Sequence, residues 1–165
     1  MSQEALHSTA EKSAALWVAL AQRMLACARA LRDELASQAA DWPVNEQEFL
    51  LLWGCHEAPP DGISQSELAG RLAVSPAQVS GLVERLRCGR LLESRRAEHD
   101  RRRQLWRLTP EGRAMLDDCL RDLAARADSL DRRLGSDTVR ALCRWLDQLL
   151  SPAPTAADLP QRGAA

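Results

Sequence analysis

Residues that favour β-sheet are scarce in this chain of 165 residues. It has no tyrosine and one phenylalanine. β-branched residues are also few, whereas alanine, leucine and arginine are abundant. Because β-branched and aromatic side chains are the ones that pack well in strands, this composition argues against a sheet protein. An apolar fraction of 45% is enough to build a core. We expect a mainly α fold with strand confined to one small element.

Targeting and metal-binding signals are also missing. The first four residues lack the basic start and apolar core of a signal peptide, and no apolar run reaches the length of a membrane span. The five cysteines form neither a CxxC pair nor a Cys/His cluster with zinc spacing, and the three histidines lie in different predicted elements. We therefore expect a cytoplasmic protein with no membrane partner, no metal and no cofactor, and one that is not an enzyme.

The stretch from Ile63 to Gly112 carries the most specific pattern. Ser64-Gln65-Ser66-Glu67 is a capping box, which predicts a helix starting at Gln65. After a sharp corner, Ser75 caps a second helix with Pro76 at its first position. The second helix has one apolar face, formed by Val79, Leu82, Val83 and Leu86. Two short helices joined by about three or four residues are typical of a helix-turn-helix.

The residues after this helix pair predict a two-stranded wing. The segments 91–96 and 104–108 read as extended strands, and the polar residues 97–103 form the tip between them. Charge is concentrated in the same region. From Asp61 to Arg113 there are 11 Arg and 7 Asp plus Glu, a net charge of +4, whereas the rest of the chain carries −5. A local basic excess is what binding to phosphates requires, although such a run can also be a solvated surface.

At these residues the chain resembles the MarR family of bacterial transcriptional regulators. The wing signature of that family appears as Asp100-Arg101-Arg102, a strand, and then Leu108-Thr109-Pro110-Glu111-Gly112, and residues 75–86 resemble its recognition helix. The chain departs from the family pattern at two places. Gly81 stands where a long polar side chain is common, and Gly89-Arg90 reverses the usual order of Arg and Gly.

The resemblance implies a winged helix-turn-helix lobe flanked by dimerisation helices. Long apolar stripes on the first and last helices have no partner in a fifty-residue lobe, so we expect a homodimer that reads a pseudo-palindromic operator. A monomer with a tucked-in helical bundle is the alternative. The expected divisions are an N-terminal dimerisation helix (1–42), a DNA-binding lobe (43–112), C-terminal dimerisation helices (113–150) and a disordered tail (151–165).

Two surfaces are predicted to contact double-stranded DNA. On the second helix, Gln78 can bind adenine, Arg85 can bind guanine or phosphate, and serine hydroxyls can bind phosphate. At the wing, Arg102 can enter the minor groove while Asp100 holds its guanidinium in place. The full set of predicted DNA-binding residues is Ser75, Ala77, Gln78, Ser80, Gly81, Arg85, Asp100, Arg101, Arg102 and Arg103.

The family resemblance also implies a small aromatic or phenolic effector that releases a repressor from DNA. Candidate pocket residues are Trp17, Met24, Trp53 and His56, although such a stripe can equally be ordinary core. Cys88, between Arg87 and Arg90, is the cysteine that could sense oxidants. Two alternative functions remain open: a cysteine-based redox regulator on the same fold, and a winged-helix module that binds protein instead of DNA.

Overall fold

A computed structural model describes residues 3–96, 104–126 and 135–150. The described part of the chain is mostly helical, with a single pair of strands, as the composition predicts. In chain order the elements are α1 (Gln3–Gln38), a 3-10 helix (Ala39–Asp41), α2 (Glu46–His56), α3 (Gln65–Leu72), α4 (Pro76–Cys88), β1 (Leu92–Arg96), β2 (Gln104–Leu108), α5 (Pro110–Arg126) and α6 (Ser136–Leu150). The chain divides into two compact units, Met1–Arg121 and Asp122–Ala165.

Capping boxes fix the starts of three consecutive helices in the first unit. In α2, the Asn45 side chain accepts from the Glu48 amide and the Glu48 carboxylate accepts from the Asn45 amide, each at 3.0 Å. The same reciprocal arrangement begins α3 at Ser64 and α4 at Ser75. Each box satisfies backbone donors that the first turn leaves free, and the two helix starts predicted at Ser64 and Ser75 are confirmed.

The ends of α3 and α4 share a second device, a Schellman motif. At the end of α3, the amides of Ala73 and Val74 donate to the carbonyls of Gly70 and Ala69. At the end of α4, the amide of Arg90 donates to Arg87 at 3.0 Å and that of Leu91 donates to Leu86 at 2.9 Å.

Both motifs place a left-handed residue just after the helix, and neither residue is glycine. Ala73 has φ +52° and Arg90 has φ +59°, whereas Gly89 has an ordinary φ of −73°. The reversed Gly89-Arg90 order therefore puts a side chain where the family pattern has glycine. A non-glycine residue in this conformation costs roughly 1–2 kcal/mol.

The core of the first unit lies beneath the helix-turn-helix. Five almost fully buried side chains come from three helices: Leu51 and Leu52 of α2, Leu68 of α3, and Val79 and Val83 of α4. Leu116 of α5 is fully buried as well. The predicted apolar face of α4 is therefore confirmed. It leaves the opposite face of the same helix in solvent.

The wing strands β1 and β2 pair antiparallel, with Leu92 opposite Leu108 and Arg96 opposite Gln104. A third segment joins them, because Ile63 exchanges two backbone hydrogen bonds with Trp106, at 2.9 and 2.8 Å. This bridge ties Ile63, two residues before α3, to the sheet. A sequence reading of two strands alone did not predict it.

The Leu-Thr-x-x-Gly signature locks the wing onto α5. Thr109 Oγ1 donates to the Arg90 carbonyl at 2.7 Å and accepts from the Gly112 amide at 2.9 Å, while the Thr109 amide donates to Leu91. Gly112 lies so close to Leu91 that a Cβ at this position would overlap the Leu91 carbonyl. The signature therefore has a backbone reason, since only glycine permits this approach.

The two terminal helices expose large apolar side chains. On α1, Leu16 and Leu25 are each 72% exposed and Trp17 is 61% exposed, and on α6, Trp145 is 68% exposed. None of the residues of α6 is buried. These exposed side chains are consistent with the apolar stripes read from the sequence.

The expectation that no apolar run reaches the length of a membrane span is wrong by length and composition. The helical segment Glu11–Asp41 is long and apolar enough to cross a membrane by those two criteria, and no part of the apolar window within it is buried. Between Lys12 and Arg32, only Arg23 and Arg29 are charged. Many of the other residues are small alanines, so the segment does not read as an obvious apolar run. The core helix of a soluble protein also passes this test, and the largest apolar side chains of α1 form a stripe.

Candidate nucleic-acid interface

The outward face of α4 is the centre of the candidate interface. Ala77, Gly81, Glu84 and Cys88 recur at helical spacing opposite the buried line, and all four are exposed. The Schellman motif and capping box hold the two ends of this helix, so its exposed face has a fixed backbone. A rigid helix with one free face has the geometry needed to enter a major groove.

Gln78 is exposed, and its side chain already has a structural role. Its Oε1 accepts from the Ser75 amide and from the Ser75 hydroxyl, both at 3.0 Å. The Ser75 hydroxyl in turn accepts from the Gln78 amide at 3.3 Å. A two-point contact to adenine uses both ends of the amide, so Gln78 would have to share or release its cap to make it. The DNA-binding assignments of Gln78 and Ser75 remain predictions.

Arg85 and Ser80 connect α4 to its neighbours. Arg85 Nε donates to Glu48 at 2.8 Å, with the arginine side chain 58% exposed and the glutamate 13% exposed. Glu48 therefore serves both the cap of α2 and a contact to α4. Ser80 Oγ donates to Gln65 on α3 at 3.0 Å. Both predicted DNA-binding residues thus help position α4 in the free protein.

A second charged pair lies on α4 itself, and sequence reasoning did not select it as a site. Arg87 holds Glu84 through two hydrogen bonds, at 2.8 and 2.6 Å. The Cys88 thiol donates to the same carboxylate at 3.4 Å. Hydrogen bonds from Arg87 and Cys88 lower the pKa of Glu84 to about 2. The sequence does contain a signal for this pair, because Glu84 and Arg87 are three residues apart, a spacing at which opposite charges often pair on a helix.

The same contacts bear on the redox hypothesis. Cys88 is exposed and Arg87 lies 3.9 Å from its sulphur, as the sequence suggested. The guanidinium is shared with Glu84, however, so the sulphur has a carboxylate beside it as well as a cation. Cys88 as a sensor remains a prediction. Cys55 offers a contrast, because burial raises the pKa of its thiol to about 12.

The base of the wing is described, but its tip is not. Arg107 on β2 donates to Glu93 on β1 at 2.6 Å, and this cross-strand pair stands at the solvent-facing side of the sheet. The predicted wing-tip residues lie outside the described residues: Asp100, Arg101, Arg102 and Arg103. Their roles at DNA therefore stay predictions.

The four candidate effector residues belong to two helices. Trp53 and His56 of α2 are neighbours, with ring centroids 5.3 Å apart, and Trp53 is 38% exposed. Trp17 and Met24 lie on α1, with exposures of 61% and 37%. A groove of about 450 Å³ does exist near the α1–α2 junction, but it is lined by residues 36, 39, 40 and 42–47, and includes none of the four. The effector assignment remains a prediction.

The helix pair, its turn and the paired strands define a winged helix-turn-helix protein of the DNA-binding class. Residues 42–103 match a model of the MarR family. This match confirms, over those residues, the resemblance read from the motifs.

Solved structures show the same fold over most of the chain. The chain is 19% identical to CouR from Rhodococcus jostii RHA1 bound to p-coumaroyl-CoA, with a TM-score of 0.70 and coverage of 82% of this chain and 94% of that one. NadR in complex with 4-hydroxyphenylacetate gives 18% identity and a TM-score of 0.70, with coverage of 79% and 91%. The transcriptional repressor CouR bound to a 23-mer DNA duplex gives 24% identity and a TM-score of 0.65, with coverage of 80% of this chain and 92% of that one. No curated protein matches the chain in sequence.

Proposed function

We propose that this protein is a dimeric, sequence-specific transcriptional regulator, a repressor that a small aromatic effector releases from its operator. The observation that carries the proposal is the exposed, rigidly capped face of α4 within a MarR-family winged helix-turn-helix. The basic excess between Asp61 and Arg113 supplies the attraction for phosphate. A regulator of this kind acts in the cytoplasm and catalyses no reaction.

DNA contact would use two surfaces at once. The outward face of α4 enters the major groove, with Ser75, Ala77, Ser80 and Gly81 close to the DNA. The wing arginines reach the flanking minor groove, where narrow A·T-rich DNA attracts guanidinium groups. Arg102 is the principal candidate there, with Asp100 orienting it.

The terminal helices support a homodimer. Each large apolar side chain that passes from water into an interface contributes about 1.5–3 kcal/mol, and α1 and α6 each expose several. A second copy of the chain is the partner that would cover the same faces in every molecule. Two symmetric lobes would then read half-sites about 34–36 Å apart. We assign residues 1–42 and 113–150 to dimerisation, 43–112 to DNA binding and 151–165 to a tail.

The effector proposal draws on two structural neighbours. The ligands in the NadR and CouR complexes, 4-hydroxyphenylacetate and p-coumaroyl-CoA, both carry a phenol ring. In this chain, Trp53 and His56 form an aromatic pair that is partly open to solvent. Together with Trp17 and Met24 they could stack on such a ring and bind its hydroxyl.

Selection of duplex DNA from a random pool by the purified full chain tests the proposal. We expect enrichment of an inverted repeat, a mass in solution of twice 18.3 kDa, and weaker binding when 4-hydroxyphenylacetate or p-coumaroyl-CoA is added. Trp53→Ala should remove the response to the phenol while leaving operator binding intact. A monomer that enriches no sequence would contradict the proposal, and the protein-binding alternative would then gain support.

A further inference from the structure

The proposed DNA-reading face of α4 is centred on an acidic residue. Glu84 is the only carboxylate in this helix, and it lies within the exposed line of Ala77, Gly81 and Cys88. A carboxylate that faces DNA is repelled by the phosphates. A helix that bound only the phosphate backbone of DNA would therefore not be expected to carry one on this face. Its position calls for a role at base edges.

Both arginines of α4 are already paired, and they are paired differently. Arg85 pairs with Glu48, which lies on α2 and not on α4. Arg87 instead grips Glu84 with two hydrogen bonds, of 2.8 and 2.6 Å, which fixes the carboxylate and balances its charge. The low pKa of Glu84, about 2, keeps the group ionised at neutral pH. The pair therefore presents a neutralised, oriented hydrogen-bond acceptor.

We infer that Glu84 reads sequence by accepting a hydrogen bond from the N4 amino group of a cytosine in the major groove, with Arg87 as its positioning residue. An ionised carboxylate only accepts hydrogen bonds. Cytosine offers an amino donor at that edge, whereas adenine places its N7 acceptor beside its N6 donor, and guanine and thymine offer acceptors that would repel a carboxylate. This inference rests on the proposed function and adds a base preference to it.

Gly81 gives this contact room. Residues three apart are neighbours on a helix surface, so Gly81 lies directly beside Glu84. Apart from the nearby backbone of the helix and the two neighbouring residues, the nearest atom to a Cβ built at Gly81 is Arg85 Nη1, at 3.9 Å, so the space outside the glycine is open. Without a side chain there, the helix backbone can approach the bases closely. The absence of a long polar residue at position 81 then shifts base reading to Glu84.

The test repeats the random-pool selection with wild type, Glu84→Gln and Glu84→Ala. We expect wild type to require cytosine at one position of each half-site. Glu84→Gln should replace that preference with adenine, because an amide can bind adenine at two points. Glu84→Ala should accept all four bases there. Asp118→Asn is the matched control, since Asp118 and Arg121 form the same kind of exposed pair on α5, and it should leave the selected sequence unchanged.

Competition binding gives the size of the effect. Replacing the selected cytosine by thymine should weaken wild type by at least about fivefold and Glu84→Ala by less than about twofold. If wild type selects a clear operator and both Glu84 variants select the same bases, the inference is wrong while the proposed function stands. If wild type selects no sequence, both are wrong.

Discussion

Arg90 occupies the left-handed position that closes α4, and replacing it with glycine should stabilise the protein. Its φ of +59° costs a non-glycine residue roughly 1–2 kcal/mol. Glycine removes that cost but loses more backbone freedom on folding, which offsets about 0.4–1 kcal/mol. The hydrogen bonds that define the motif come from backbone groups, and so does the carbonyl that accepts from Thr109 Oγ1 at 2.7 Å. Arg90→Gly therefore keeps them all.

The expected net gain for Arg90→Gly is about 1 kcal/mol, or a rise of roughly 2–4 °C in melting temperature for a chain of this size. Urea and thermal unfolding followed by circular dichroism would measure it. Protein concentration must be held fixed, because the midpoint of the proposed dimer would depend on it. Ala73→Gly, at the equivalent position of α3 with φ +52°, should behave in the same way.

Arg113→Gly is the matched control, since Arg113 is an exposed arginine inside α5 with ordinary helical hydrogen bonding. Arg113→Gly should lower the free energy of unfolding by about 1 kcal/mol, because glycine is unfavourable within helices. The reasoning is refuted if Arg90→Gly destabilises the protein as much as Arg113→Gly does.

Three further predictions concern glycines and a buried thiol. Gly112→Ala should cost roughly 1–3 kcal/mol or more in urea unfolding, because its Cβ would overlap the Leu91 carbonyl, whereas Gly70→Ala, with open space around it, should be neutral or stabilising. Gly81→Ala should stabilise the free protein by about 1 kcal/mol yet weaken operator binding in titrations; equal or tighter binding would remove Gly81 from recognition. The raised pKa of Cys55, about 12, favours the protonated thiol in the folded state, so stability should fall as pH rises above about 9. Urea titrations at pH 8 and 10 would show a smaller fall for Cys55→Ala if this is correct.

Local features of the fold were predictable because their causes are local. The capping residues Asn45, Ser64 and Ser75 lie within three positions of their partners, so sequence spacing alone reveals them. The buried and exposed faces of α4 follow from helical periodicity in the same way. The family motif then supplied the wing, whose strands pair as expected.

Contacts between distant residues were not predictable. The Arg85–Glu48 pair joins residues 37 apart in sequence, and no local pattern distinguishes it from a free arginine that could bind DNA. The role of Gln78 in its cap was visible in principle, because the amide stands at the third helical position where Glu or Gln closes a capping box. The Ile63–Trp106 bridge depends on tertiary packing and left no trace in the spacing.

The dependence of DNA affinity on salt tests the central claim most directly. Fluorescence anisotropy would follow the full chain binding to its selected duplex between about 50 and 200 mM salt. A dimer that places two capped helices and two arginine-rich wings on DNA should neutralise several phosphates, and six to ten such contacts lower affinity by roughly 10³–10⁵-fold over this range. A random duplex should bind more weakly with a similarly steep slope. A flat salt profile, or equal affinity for selected and random duplexes, would contradict the account.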